Sequence, residues 1–295
     1  MNSSKPSSQI SLDLLNQDNL DSLLGATTPI RIRMSIAPAL AKHWLEATNK
    51  KNRKPTDGHW LEIAIDMEQG RWKYNGGAIR FGSDGVLLDG QHRLLACVEA
   101  NVPFDTDVIF GLNPDCLDTI DTDVLPRTAA HVAQMEGVEN ATGASALAFL
   151  LLVHEKHGIQ RVQNVDCKPT KTEVIARAKA DPRIAAIAGR SMGWSRRLVQ
   201  PRVVGFCYYL FSQQDIDLAE RFFAELADGA NLSKRSPVYQ LRHRLWQNST
   251  AKAKLPLKEI VAIFFKAWIA YREGRPIQVL VWRSGGNSPE PFPEI

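Results

Sequence analysis

The chain has 295 residues, enough to bury a substantial hydrophobic core in one or two domains. Its composition, 44% hydrophobic and 23% charged, is that of an ordinary globular protein and excludes the fibrous and largely disordered classes. Every apolar run is shorter than the roughly 18 residues of a membrane-spanning helix, and the N-terminus lacks a secretory apolar segment. We therefore expect a cytoplasmic protein with no membrane partner.

The net charge of +4 is distributed unevenly along the chain. Residues 104–140 hold eight acidic residues and one arginine, whereas residues 160–202 hold ten Lys and Arg and three acids. Residues 234–254 add six Lys and Arg and no acid. A basic half of this kind is typical of nucleic-acid contact, although a solvated helical surface or the docking of two halves also produces it.

The first half alternates short helix and strand patterns. Residues 1–28 are polar, and an amphipathic stretch at 10–24 makes them either a flexible arm or a docking helix. Two apolar runs joined by Gly82-Ser83-Asp84-Gly85 predict a β-hairpin. The remaining periodicities predict strands at 30–34 and 106–111 and helices at 37–48 and from 57 to Gly70.

The hairpin leads into Asp89-Gly90-Gln91-His92-Arg93, which begins another helix. A strand that enters a helix through a glycine leaves the first backbone N–H groups of the helix at the positive end of its macrodipole. Gly90 has no Cβ to keep a ligand from the backbone, and His92 and Arg93 offer donors for phosphate oxygens. Gln91 adds a group that can hydrogen-bond a base, a sugar or a phosphate. Asp89 either caps the helix or holds Mg²⁺ against the phosphates.

This motif, with a hairpin before it and a helix after it, resembles the Gly-x-x-Arg signature of the ParB/sulfiredoxin-like superfamily over about residues 30–135. The resemblance implies that the turn holds the phosphates of a nucleoside triphosphate, and it places Asp121, Arg127 and Thr128 in the loop that completes the pocket. Sulfiredoxin-type members carry a cysteine where this chain has Gln91, which excludes sulfiredoxin chemistry. ParB-type members carry Gly-Glu-Arg-Arg, so CTP is the first nucleotide to test, although the Glu and the second Arg are absent here.

Two further sets of residues are candidates for the same site. Asn52 and Arg53 lie in a basic loop, 49–55, which either folds over the motif helix to reach the phosphates or is simply solvated. Asp121, like Asp89, is a candidate catalytic residue, as a Mg²⁺ ligand or a general base, since phosphoryl transfer needs mainly positioning and charge neutralisation. The alternative is an aspartate that caps a turn.

From Ala129 the pattern becomes helical only, with a late apolar strand at 279–282. We therefore predict an α+β protein in which a ParB/sulfiredoxin-like N-terminal domain is followed by an all-α helical domain. The predicted boundaries are 1–28 for the arm, 29–137 for the ParB-like domain, 138–283 for the helical domain and 284–295 for a C-terminal tail. The predicted helices of the second half start at Ala129 and then span 141–157, 170–180, 182–188, 202–212, 215–227, 238–248 and 257–271.

The basic half has the outline of a helix-turn-helix unit between residues 170 and 204. Pro201 would remove an interior N–H from a recognition helix over 195–204, which argues against a regular one. Nonspecific contacts to DNA phosphates are still expected from a set of four arginines. This set is Arg190, Arg196, Arg197 and Arg202.

We interpret the histidines and tryptophans as structural residues rather than as metal ligands or stacking platforms. His131, His154 and His157 lack the spacing of metal ligands relative to a carboxylate. The tryptophans recur at helix or strand packing positions and are predicted to lie in the core rather than to act as stacking platforms. They are Trp44, Trp60, Trp72, Trp246 and Trp268.

Three functions from different classes follow. The first is a phage- or mobile-element-associated protein that binds a nucleoside triphosphate with Mg²⁺ at Asp89 to Arg93 and has a DNA-linked role. The second is a phosphotransferase, kinase or nuclease of the same superfamily. The third is a binding module that keeps the fold without nucleotide chemistry.

Overall fold

The computed structural model describes residues 17–50, 52, 55, 57–120, 127–195, 198–286 and 288–295. The chain forms two compact units, Met1–Pro126 and Arg127–Ile295, here called the N-terminal and C-terminal units. The protein is a mixed α+β protein, as predicted, with twelve α-helices and one four-stranded sheet in the described residues. In the same residues, no helix is long and apolar enough to cross a membrane.

The N-terminal unit contains the whole sheet. Its strand order is β1-β4-β2-β3, with β2 and β4 parallel and the two outer pairs antiparallel. The short turn at 82–85 joins β2 to β3, which confirms the predicted hairpin. In chain order the elements are α1 (Gln17–Leu23), β1 (Ile30–Ile36), α2 (Pro38–Thr48), α3 (Asp57–Glu68), β2 (Ala78–Gly82), β3 (Leu87–Asp89), α4 (Gln91–Ala100) and β4 (Phe104–Leu112).

The core of this unit lies between the helices and one face of the sheet. Strand β1 alternates, so that Ile32 and Ile36 are buried while Arg31 is exposed. Trp44 from α2 is fully buried, and its ring contacts those of Phe81 and Phe110 at centroid distances of 5.0 and 6.2 Å. These large side chains fix α2 against the centre of the sheet, and thereby fix the end of β3 relative to the helices.

The C-terminal unit is helical. Two of its helices have side-chain caps: Thr128 accepts a hydrogen bond from the His131 N–H, and Thr170 forms a capping box with Glu173. The described residues of 195–204 do not form one recognition helix, because residues 198–200 are not helical and Pro201 is the first residue of a new helix. The helices are α5 (Ala129–Met135), α6 (Ala141–His157), α7 (Lys171–Ala180), α8 (Arg183–Ser195), α9 (Pro201–Gln214), α10 (Ile216–Asp228), α11 (Pro237–Thr250) and α12 (Leu257–Arg272).

The structure differs from the predictions at three places along the chain. The described part of the predicted arm is docked, since α1 places Leu20 in the core of the N-terminal unit. The unit boundary lies after Pro126 rather than at 137, because α5 packs against α6 and α7. The predicted strand at 279–282 is wrong: the segment is irregular and buries Leu280 among helices, where no neighbouring strand offers a hydrogen-bonding edge.

The tail packs on the C-terminal unit. Phe292 and Ile295 contact its hydrophobic core, and the Trp282 indole N–H donates to the Pro291 carbonyl at 3.0 Å. Glu290 forms an ion pair with Lys266 of α12 at 2.6 Å. These contacts account for the position of a segment rich in Gly and Pro that has no regular secondary structure of its own.

Candidate functional site

The turn from β3 into α4 is made by Gly90. Its φ of 105° lies in the region that favours glycine, and it is the N-cap of α4. A Cβ at this position would lie 2.3 Å from Ile79 Cδ1 and 3.3 Å from Ile79 Cα. The missing side chain therefore makes room for β2 inside the unit. This packing requirement is enough to explain why residue 90 is a glycine. The explanation predicted from the sequence, close approach of a ligand to the backbone, is not needed.

Asp89 does not cap α4. The N-cap is Gly90, and Asp89 Oδ2 instead accepts hydrogen bonds from Arg80 Nη1 at 2.7 Å and Arg93 Nη2 at 3.0 Å. The prediction that Asp89 caps the helix is therefore wrong. Because Arg80 and Asp89 are cross-strand partners on β2 and β3, the sheet register brings this carboxylate to both guanidinium groups.

Arg93 joins three elements at the corner. Its Nη2 also donates to the Ala78 carbonyl at 2.7 Å, so the guanidinium group links α4 to the beginning of β2. The Arg93 and Asp89 side chains are only 16% and 18% exposed, whereas Arg80 is 31% exposed. Two arginines share one carboxylate, which leaves one net positive charge in a partly buried cluster.

The first turns of α3 and α4 meet beside this cluster. His59, the third residue of α3, and His92, the second residue of α4, have their ring centroids 5.2 Å apart. His59 is exposed and His92 is half-buried. Sequence reasoning missed His59, because a histidine in the first turn of an amphipathic helix carries no signal that it faces another helix.

The loop before α3 is partly anchored to the same corner. Asn52 donates to the Leu87 carbonyl of β3 at 2.8 Å and to Asn49 Oδ1 at 2.7 Å. The structure thus brings Asn52 within two residues of Asp89 along β3. Arg53 lies outside the described residues.

The remaining predicted site residues are buried, belong to the C-terminal unit or lie outside the described residues. Gln91 is 9% exposed, so most of its surface is unavailable to a base or a sugar. Arg127 and Thr128 belong to the C-terminal unit, where Thr128 caps α5. Asp121 lies outside the described residues. Sequence spacing alone does not reveal that the loop crosses from one unit to the next.

The predicted DNA-contacting arginines are not equivalent. Arg190 donates from both Nη atoms to the Glu220 carboxylate, and its guanidinium group lies 4.3 Å from the Trp194 ring centroid. Arg202 lines a mostly apolar cavity of about 750 Å³ between α6, α8 and α9, and its Nε donates to Gln200 Oε1 at 2.8 Å. Arg196 and Arg197 lie outside the described residues.

A second polar cluster, not anticipated from the sequence, lies on the face of the sheet turned away from the core. Asp107 on β4 is 4% exposed, pairs with Arg31 and accepts a hydrogen bond from the Tyr74 hydroxyl at 2.9 Å. Burial raises the pKa of Asp107, but the hydrogen bonds from Arg31 and Tyr74 outweigh burial, so that the pKa is lowered overall. Both partners belong to the same unit as Asp107, and we interpret this cluster as structural.

The described residues contain no group of three or more His, Cys, Asp or Glu side chains arranged to hold a metal ion. At the corner, Asp89 is the acidic side chain that the structure brings to both arginines. Within these residues, protein side chains alone therefore do not form a metal cage. Comparisons with protein-family models, with curated proteins and with solved structures find no match.

Proposed function

We propose that the N-terminal unit is a ParB-like domain that binds a phosphorylated ligand, in the first instance a nucleoside triphosphate, where α3 and α4 begin. The contact between His59 and His92 carries the proposal, because it brings two helix N-termini together. Each helix N-terminus is equivalent to about half a positive charge. The first turns of α3 and α4 thus lie near each other, and the positive end of each helix dipole favours an anion.

The arginine cluster supports the same ligand. Arg80 and Arg93 together exceed the charge of Asp89 by one, and Arg80 keeps nearly a third of its side-chain surface exposed. The Arg80 guanidinium group has five N–H donors, so its bond from Nη1 to Asp89 leaves donors that can reach a phosphate. In this proposal Arg93, His59 and His92 bind the phosphates, Gly90 and Gln91 supply backbone N–H groups, and Asn52 is anchored to β3 beside the site.

Mg²⁺ would be bound mainly by the phosphates, with Asp89 as a protein ligand. Mg²⁺ in nucleotide sites commonly uses one or two carboxylates together with phosphate oxygens and water. Because two arginines already bond to Asp89, this carboxylate is a weak candidate for a general base. The geometry therefore favours nucleotide binding over phosphoryl transfer. The proposed DNA-linked role rests on the resemblance of the motif to that of ParB-like domains.

A second candidate function, a binding module without nucleotide chemistry, is favoured by one observation. The Arg80–Asp89–Arg93 cluster, with the Arg93 bond to the Ala78 carbonyl, ties β2, β3 and α4 together. Partly buried ion pairs of this kind also occur in sites that only maintain the fold. In that case Arg93 would stabilise the unit and bind no ligand.

A thermal-shift panel of CTP, ATP, GTP and UTP, with and without Mg²⁺, separates the two candidates. A nucleotide at about a hundred times its Kd should add about 2.7 kcal/mol of stability. We expect His59→Ala and His92→Ala to lose most of this gain while their ligand-free melting temperatures stay close to wild type. His43→Ala, which removes a half-exposed histidine of α2 paired with Asp21, is the matched control and should keep the gain.

Arg93→Ala should lower the ligand-free melting temperature under either function, because it removes structural bonds. It should also abolish the nucleotide response only if Arg93 binds phosphate. If no nucleotide and no inorganic tripolyphosphate shifts the wild-type melting temperature, nucleotide binding is wrong and the module function stands.

A further inference from the structure

Helix α11 has one face in the core and an aromatic row on another face. Its buried residues include Val238, Leu241 and Leu245, which pack into the hydrophobic core of the C-terminal unit. Trp246 is 56% exposed, so the prediction that it belongs to the core is wrong. Its position next to Leu245 turns it by about 100° around the helix, away from the buried stripe.

The row consists of Tyr239, His243 and Trp246, here called the α11 aromatic row. The Tyr239 and His243 rings are 6.4 Å apart and 10° from parallel, and the His243 and Trp246 rings are 6.5 Å apart and 22° from parallel. The spacings of four and three residues place the rings on one face of the helix. A nearly parallel set of rings with an exposed tryptophan at one end has a free face onto which another planar ring can stack.

The chain around the row carries positive charge only. Residues 229–258 hold seven Lys and Arg and no acid. Within the described residues, no acidic side chain forms an ion pair with any of these seven. Arg242 and Lys254 donate to backbone carbonyl oxygens in the last turns of α10 and α11, so their charges are offset only by helix dipoles and not by an acidic side chain.

Several other cations of this unit are paired with acidic side chains. Lys156 pairs with Glu173 at 2.6 Å, and Lys179 pairs with Glu136 at 2.6 Å. Arg190 is likewise held by Glu220. What distinguishes α11 in the described part of the chain is the combination of cations that lack acidic partners with the exposed rings of His243 and Trp246, so its ligand should be both polyanionic and aromatic.

We propose that the α11 aromatic row binds single-stranded nucleic acid. Bases stack on the exposed rings, and the cations before and after the row, such as Arg235 and Lys252, contact phosphates. From Tyr239 to Trp246 the helix rises ~10 Å, so the row is long enough to contact more than one base. A duplex keeps its base faces stacked inside, so a single strand fits the rings better. This inference is independent of nucleotide binding in the N-terminal unit.

Fluorescence anisotropy of a labelled 20-nucleotide oligothymidine, titrated with the full-length protein, tests the proposal. Trp246→Ala removes the ring on which one base stacks, and the lost stacking free energy should weaken oligothymidine binding about 5- to 150-fold. Trp246→Phe keeps an aromatic ring and should retain most of the affinity. Met192→Ala, which removes another large exposed apolar side chain, is the matched control and should leave the affinity unchanged.

The charges are tested by the salt dependence of the same titration. Lys252→Gln should reduce the slope of log K against log salt by about 0.7, the value for one phosphate contact on a single strand. Lys179→Gln changes the net charge equally but removes a lysine already paired with Glu136, and it should leave the slope unchanged. Because Lys252 and Trp246 are exposed, both variants should melt at the wild-type temperature.

Three results would each overturn the proposal. One is the absence of oligothymidine binding at low salt. Another is binding of a 20-base-pair duplex as tight as that of the single strand. The third is an unchanged affinity in Trp246→Ala together with equal displacement by polyglutamate or by anionic vesicles, which would mean a surface that attracts any polyanion without stacking.

Discussion

Replacing Gly90 with alanine should destabilise the N-terminal unit through two separate effects. The first is backbone strain, because a φ of 105° is unfavourable for a residue with a Cβ and costs about 1–3 kcal/mol. The second is a clash, since the new Cβ would lie 2.3 Å from Ile79 Cδ1 and 3.3 Å from Ile79 Cα. Overpacking of this kind costs about 1–3 kcal/mol. Together we expect a loss of about 2–6 kcal/mol in the free energy of unfolding.

Gly76→Ala is the matched control. Gly76 has a φ of 75°, but a Cβ there would meet nothing within 4 Å, so this substitution carries the strain alone. The difference between the two variants therefore measures the clash. Ile79→Val removes the atom nearest to the new Cβ, and Gly90→Ala should cost less in that background than in the wild type.

Urea unfolding of the full chain, followed by tryptophan fluorescence, gives the free-energy changes, and hydrogen exchange of the β3 and α4 amides locates them in the N-terminal unit. If Gly90→Ala costs no more than Gly76→Ala, or if Ile79→Val brings no relief, then the packing of Gly90 on β2 is not the reason for the glycine. In that case the ligand-approach explanation would return.

Three further predictions concern the C-terminal unit. Thr170→Ala should lower the free energy of unfolding by about 1 kcal/mol, measured in urea, because it removes the capping box of α7; no change would contradict the cap. The hydrogen bond from Arg183 lowers the pKa of Asp181 to about 2 in the folded state, below its unfolded value, so its stabilising effect is present above about pH 4 and is lost as the pH falls toward 2. The stability difference between wild type and Asp181→Asn should therefore shrink over that range, and a constant difference would refute the assignment. Burial raises the pKa of the Cys207 thiol, so iodoacetamide should modify the more accessible Cys116 first in the folded protein, and mass spectrometry showing equal rates would contradict this.

Local patterns were sufficient for much of the fold. Hydrophobic periodicity places most of the helices, because burial of one face is what stabilises a helix in a folded protein. Turn and cap chemistry places their ends, as Thr128 and Pro201 illustrate. The hairpin before the motif could likewise be predicted from its turn residues, because the interactions that form a hairpin turn are between residues close in sequence.

Long-range contacts were not predictable in this way. The bond from Arg80 to Asp89 depends on the register of β2 and β3, and the meeting of His59 with His92 depends on how α3 packs against α4. Trp246 was misplaced because spacing alone does not distinguish the buried stripe from the residue beside it. An apolar run such as 279–282 becomes a strand only where another strand can pair with it.

Hydrogen exchange with and without nucleotide, read by mass spectrometry, tests the central claim most directly. We expect a bound nucleoside triphosphate to slow exchange in two peptides, one covering residues 57–60 and one covering residues 89–94, and to leave α11 unchanged. If a nucleotide stabilises the protein while these two peptides exchange at their ligand-free rates, phosphate binding at the start of α3 and α4 is contradicted, and the site lies elsewhere.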